Sequence, residues 1–202
     1  MKIAVVGAGA IGGYVGARLS LAGKDVTFIA RGANLAAIRA RGLELIEEDG
    51  TARVASGARA FEHMREAGTH DVVLLTVKAH QVAPVAPEIA YLCHADTAIV
   101  TMQNGIPWWY FQNYTGEYAG HPVASADPTG TTATHIEPRR IIGSVVYPAA
   151  QLTAPGIVQV VEGNRFTLGE LDGGTTPRLQ SIAAALIDAG FKAPITNDIR
   201  SE

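Results

Sequence analysis

The sequence predicts an α/β protein: a mostly parallel sheet with helices on both faces, plus a small antiparallel extension near residues 141–170. Three observations lead there. Short, almost continuously apolar runs recur at 2–6, 25–30, 71–77 and 97–102, as in strands covered on both faces. Between them lie segments with helical spacing, and that alternation is the signature of a parallel sheet. A glycine-rich turn separates the first strand from the first helix.

Taken in order, residues 2–6 (KIAVV) form a strand. The sequence GAGAIGG follows, then a helix in which Val15, Leu19 and Ala22 share a face and Gly23 marks the stop. Residues 25–30 (DVTFIA) are the second strand and 34–41 a short helix. Residues 43–46 and 53–55 alternate around Glu48-Asp49-Gly50, a hairpin signal. Residues 71–77 (DVVLLTV) are a strand, 82–92 a helix with two prolines in its first half, and 97–102 (TAIVTM) a strand. Residues 108–140 are rich in Gly, Pro, Thr and aromatic residues without a sustained period, which predicts a short helix and a long loop. Trp108, Trp109, Tyr110 and Phe111 are expected to pack beneath that loop. Strand-like segments at 143–147, 156–161 and 165–168, separated by AAQLTAP and EGN turns, suggest an antiparallel meander. Thr176-Pro177 caps a helix to about residue 189, with proline at its first position. Residues 192–195 read as a last short strand, and Asn197-Asp198 as the N-cap of another helix.

Bulk properties narrow the function classes. The 202 residues are 48% hydrophobic and 17% charged, with a formal net charge of −3. A chain of this length hides roughly 70% of its unfolded surface, enough for a substantial core. There is no basic run to attract nucleic acid; Arg139-Arg140 is only a pair. A single cysteine, Cys93, and six scattered histidines show no zinc-ligand spacing, so no metal is expected. His80 and His94 read as surface or satisfied histidines. The chain shows neither a leader-type n-region nor a run long enough to span a membrane, and the expected location is the cytoplasm.

The motif with the most chemistry is Gly7-x-Gly9-x-x-Gly12, between a strand and a helix and followed by a second strand. Gly7 permits the tight turn, Gly9 lets backbone approach a pyrophosphate, and Gly12 lets helix and strand pack closely. The helix N-terminus then offers free N–H groups and a partial positive charge. With that context complete, the motif predicts a Rossmann-type dinucleotide-binding domain. Such domains specific for NAD carry an acid at the end of the second strand, where it binds the ribose 2′-hydroxyl. Here Ala30-Arg31-Gly32 stands instead, and Asp25 lies at the start of that strand. The planar fork of an arginine suits a 2′-phosphate, and no carboxylate is expected near it to repel one. NADPH is therefore the expected cofactor; the alternative for Arg31 is a solvated loop arginine. Lys78 and Gln81 follow the strand at 71–77, and Asn104 follows the strand at 97–102, both at carboxyl ends that line the ligand crevice. By themselves these could equally be a surface lysine and an Asn-Gly turn.

Six segments in order, MKIAVVGAGAIGG, Arg31, VKAHQ, MQNG, IIGSVVYPAA and TNDIRSE, resemble the ketopantoate reductase (2-dehydropantoate 2-reductase) family over nearly the whole chain. These are NADPH-dependent oxidoreductases of pantothenate biosynthesis. The resemblance implies that Gly7, Ala8, Gly9, Ala10, Ile11 and Gly12 hold the pyrophosphate. It implies that Arg31 binds the 2′-phosphate, with Lys78 and Gln81 helping at the adenosine end. Asn104 would lie near the nicotinamide ribose and substrate, and the backbone of Ala149 would touch the cofactor. The family's general acid is a lysine on the helix after the NDIR-type segment, and its substrate residues lie in a helical C-terminal domain. The resemblance thus divides the chain into an NADP-binding domain, 1–196, and the beginning of an interdomain helix, 197–202, leading to a domain that is missing. No catalytic residue is assigned within the chain, which alone is expected to be inactive. A reductase of another keto acid and a non-catalytic NADP-binding or sensing module stay open, as does a homodimer.

Overall fold

The computed structural model describes all residues, 1–202. The chain runs β1 (Lys2–Val6), α1 (Ala10–Leu21), β2 (Asp25–Ile29), α2 (Gly32–Arg41), β3 (Leu43–Ile46), β4 (Ala52–Ala55), β5 (Arg59–Phe61) and β6 (His70–Leu75). It continues through α3 (Val82–Ile89), β7 (Cys93–Thr101), α4 (Thr131–His135), β8 (Ile141–Val146), β9 (Ala149–Ala154), β10 (Ile157–Glu162), β11 (Phe166–Glu170) and α5 (Pro177–Asp188).

Seven strands form the main sheet in the order β11-β8-β7-β6-β1-β2-β5. All neighbours are parallel except β11, which runs antiparallel to β8. The chain moves outward from β1 to β2 and β5, then returns to place β6 on the other side of β1. Strand order therefore reverses between β1 and β6, and the carboxyl ends of such a pair form a ligand crevice.

The continuous apolar runs have a simple cause. Ile3, Val5, Val72, Leu74, Ala98 and Val100 point to a core shared with α1 and α5, whereas Ala4, Val6, Val73, Leu75 and Ile99 point to one shared with α3 and Trp108–Trp109. Alternate side chains face opposite sides of a strand, so burial on both sides makes nearly every position apolar, with small threonines such as Thr27 and Thr101 the exceptions. The tryptophans pack as expected beneath the loop, and Trp109 Nε1 donates to Thr101 Oγ1 at 3.0 Å. The 108–140 segment contains the expected short helix as α4, with the carboxylate of Asp127 accepting from the N–H groups of Thr132 and Ala133.

The antiparallel extension exists, but its strands belong to two sheets. β8 and β11 complete the main sheet, while β9 and β10 form a hairpin in a second sheet ordered β4-β3-β10-β9. The expected AAQLTAP turn is in fact mostly β9. Its residues alternate weakly and stay partly exposed, so local pattern did not distinguish them from a turn. The three-residue β5 was also not foreseen. Residues 192–195 do run parallel to β11, but only through isolated bridges, because Pro194 has no N–H to continue a ladder. At 197–202 the carboxylate of Asp198 accepts from the Arg200 N–H at 3.2 Å, and residues 199–200 form a turn.

The second sheet is fastened to α1 at both ends. Near its start, a Cβ on Gly13 would lie 2.6 Å from Val158 Cγ2, so only glycine lets β10 pack this close. Near its end, the Arg18 guanidinium sits over the edge-to-face pair of Tyr14 and Phe191, 5.0 and 5.2 Å from their ring centres. It also donates to Glu47 at 2.5 Å, and Arg53 donates to the other oxygen at 2.6 Å. Burial of Glu47 by itself favours the neutral acid. The hydrogen bonds and charges of Arg18 and Arg53 outweigh it and hold the carboxyl below its ordinary 4.5.

A folded-state pKa below the unfolded one makes this contribution complete above about pH 4.5 and loses it as pH falls through the depressed value. Glu47→Gln is expected to cost about 1–3 kcal/mol at neutral pH, since it leaves two guanidinium groups poorly matched. It should also flatten the fall of Tm with acid. Thermal melts from about pH 6 to pH 3 check this, and an unchanged slope would contradict it.

Candidate functional site

β1 ends at Val6 and the backbone turns at Gly7, whose φ of +101° is open to glycine and strained for other residues. The Gly7 N–H donates to Ile29 O at 3.0 Å, which ties the turn to the end of β2. Thr76, just after β6, places its Oγ1 2.9 Å from Val6 O and 2.7 Å from Gly7 O. α1 starts directly above. A Cβ on Gly12 would lie 2.0 Å from Gly7 O and 2.3 Å from Thr76 Oγ1, a space no methyl can enter.

Gly9 differs from both neighbours in the motif. Its φ of −77° suits any residue, and a Cβ there would meet no protein atom within 4 Å. Nothing inside the chain requires glycine at this position. Gly9 is the N-cap of α1 without a side-chain cap, and the first turn carries no acidic residue. The first N–H groups of the helix thus have no intrahelical or side-chain acceptor and carry the positive end of its dipole.

Three cavities follow the carboxyl edge of the sheet. One of about 460 Å³ is lined by Gly7, Ala8, Gly9, Ala30, Arg31, Asn34, Gln81 and the apolar Met64, Val77 and Val85, with Glu62 and Glu88 also on its wall. The second, about 280 Å³, is lined by Ile11, Thr76, Val77, Lys78, Gln103, Asn104, Val146 and Pro148. The third, about 340 Å³, lies beyond Asn104 against Ile106, Tyr110, Ser144 and Arg200. Val77 borders the first two, and Gln103 and Asn104 the last two, so the three make one crevice across the strand-order reversal.

The structure thus groups Gly7, Ala8, Gly9, Arg31 and Gln81 around one cavity, and Ile11, Lys78 and Asn104 around the next. Ala10 is the first residue of α1, and the closely packed Gly12 lies two residues on. Ala149 begins β9, one residue beyond the cavity-lining Pro148. Arg31 and Lys78 are exposed, and neither side chain is in an ion pair. Asp25 pairs with Arg59 at 2.8 Å at the far end of β2, away from the crevice. Burial pushes the Cys93 thiol up, so it is no ready nucleophile.

Several residues that shape the crevice had been given no individual role in it. Asn34 donates to Ala8 O at 2.6 Å and accepts from the Gly156 N–H at 2.7 Å, joining the glycine turn to the β9–β10 hairpin. Asn104 was singled out as a ligand contact, yet its amide also pairs with both backbone groups of Val146, at 2.8 and 3.1 Å, and holds the end of β8. Gln103 donates to Leu75 O and Val77 O. Arg200 donates to the carbonyls of Tyr110, Gln112 and Leu171, at 2.6, 2.5 and 2.6 Å. Long side chains that cap distant carbonyls leave no local pattern. Glu62 and Glu88 likewise reach the first cavity from other elements, which corrects the expectation that Arg31 stands without carboxylates near it.

Residues 3–114 match the family model described as Ketopantoate reductase PanE/ApbA. A 2-dehydropantoate 2-reductase of Mesorhizobium japonicum is 47% identical over 100% of this chain, which spans 62% of that protein's length. The crystal structure of a candidate ketopantoate reductase from Ralstonia solanacearum superposes with a TM-score of 0.93 at 41% identity, covering 98% of this chain and 61% of that one. A D-mandelate dehydrogenase solved with NADH shares the fold at a TM-score of 0.78 and 23% identity, over 98% of this chain and 58% of its own. With a match over more than half of its residues, the chain belongs to the ketopantoate reductase family.

Proposed function

We propose that this chain binds NADPH along the crevice and supplies the cofactor half of an NADPH-dependent reduction of a 2-oxo acid, 2-dehydropantoate to pantoate. The observation that carries the proposal is Gly9. A Cβ there would meet no protein atom, and the open space beside it is the first cavity. A pyrophosphate against the uncapped N-terminus of α1 is the group such a position suits. Gly7 to Gly12 would hold it, with Arg31 toward a 2′-phosphate, Lys78 and Gln81 helping at the adenosine end, and Asn104 and Ala149 toward the nicotinamide. When bound, the reduced nicotinamide supplies hydride to the substrate carbonyl. The residues of this chain orient it and exclude water.

Lys78 is the one lysine lining these cavities, and it lies on the cofactor's path. The resemblance to ketopantoate reductases implies that the proton donor is a lysine on a helix following the NDIR-type segment, and this chain spans 62% of the length of the Mesorhizobium relative. The 202 residues assayed with NADPH and ketopantoate are expected to bind nucleotide without appreciable turnover; steady oxidation of NADPH would overturn that division of labour.

Gly9→Ala is expected to fold with a loss of no more than about 1 kcal/mol, that of alanine for glycine at an N-cap, and to lose most nucleotide affinity. Gly12→Ala should instead lose stability and affinity together, because its methyl has no space. Thermal melts alongside NADPH titration separate the two, and undiminished NADPH binding by Gly9→Ala would refute the pyrophosphate site.

Arg31→Ala is expected to weaken NADPH by about 2–3 kcal/mol, the value of hydrogen bonds to a charged group, while NADH changes little. Equal losses for both nucleotides would show that Arg31 does not contact the 2′-phosphate.

A further inference from the structure

We infer that Glu62 limits this site's preference for a 2′-phosphorylated dinucleotide and keeps it open to the unphosphorylated form as well. The inference rests on the dinucleotide function proposed above and deepens it.

The placement comes from the sheet. β5 is the edge strand beside β2, in parallel register with Ile29 opposite Phe61, and the Ala30 N–H donates to Phe61 O at 3.0 Å. The two strands therefore end together. One leads into Ala30 and Arg31, the other into Glu62, and Arg31 and Glu62 line the same cavity of about 460 Å³ as Gly7 and Gly9. Both side chains are exposed, and neither is in an ion pair. The rim thus offers a guanidinium and a carboxylate to the same ligand with no ion pair between them.

Their chemistries select oppositely. A guanidinium attracts the dianionic 2′-phosphate, which a carboxylate repels. A carboxylate accepts a hydrogen bond from a ribose hydroxyl, the part normally played by an acid at the end of the second strand. In this chain the acid arrives from the neighbouring strand, so the site holds both devices. Glu88 reaches the cavity from α3, on a different element from Arg31, and serves as the comparison.

The test is a pair of dissociation constants, for NADPH and for NADH, measured by quenching of intrinsic tryptophan fluorescence on the wild-type chain, Glu62→Gln and Glu88→Gln. The wild type is expected to bind both nucleotides. Glu62→Gln should tighten NADPH by about five- to tenfold, the size of a like-charge repulsion near a surface, and weaken NADH. The NADPH gain should shrink as salt is added, and Glu88→Gln should move the NADPH/NADH ratio less. A ratio unchanged by Glu62→Gln overturns the role of Glu62 while leaving the dinucleotide function standing. Failure of the wild type to bind either nucleotide overturns both.

Discussion

Everything at the crevice depends on one crowded point, where β1 ends, α1 begins and β6 ends. The carbonyl of Gly7, the hydroxyl of Thr76 and the Cα of Gly12 meet there with no room for a methyl group. This contact fixes the height of α1 above the sheet. It therefore also fixes where the free N–H groups of the first helical turn are aimed. A side chain at position 12 would lift the helix and with it the α1 face that carries the second sheet. The same contact that closes the core on one side opens the crevice on the other.

Around that point, polar side chains are used to hold backbone in place. Asn34, Gln103, Asn104 and Arg200 each bond to main-chain groups far away in sequence and keep the carboxyl ends of the strands in register with one another. A cofactor site needs this rigidity, because positioning is the chief contribution a protein makes to hydride chemistry. Arg200 has a wider reach than the others. Its three carbonyl partners lie in the aromatic segment after β7 and just beyond β11, so the end of the chain and the 108–140 segment share one anchor. That segment is consequently fastened at both ends: by Trp109 on Thr101 at its start, and by Asp127 at the cap of α4 and Ile136 in the core near its close.

The charges divide similarly between scaffold and site. Glu47 and Glu170 are nearly enclosed and paired with arginines, and they join elements. Thr176, the N-cap of α5, donates to the same Glu170 that Arg178 grips, so the helix start and the end of β11 are held as one unit. Arg31, Glu62 and Lys78 stand exposed along the crevice and have no ion-pair partner in the fold. A charge that stabilises nothing in its own chain, placed beside a cavity, is available to a ligand.

The sequence by itself determined the parallel core, the helices on its two faces, the glycine turn and the arginine after the second strand. Each is a local matter: period, run length and the conformational demands of glycine are written within a few residues. Burial on both faces made the central strands legible, and a proline after a capping threonine made α5 so. Tertiary structure alone decided how the later strands divide between two sheets, because pairing is a long-range choice and weakly alternating segments such as 149–154 look alike in a turn and at a sheet edge. It alone revealed β5, three residues long, and therefore that Glu62 stands beside Arg31. It also showed that Asn104, expected as a ligand contact, clasps the end of β8. A motif can specify what a backbone must be able to do, whereas which side chains share a cavity depends on strands brought together from across the chain.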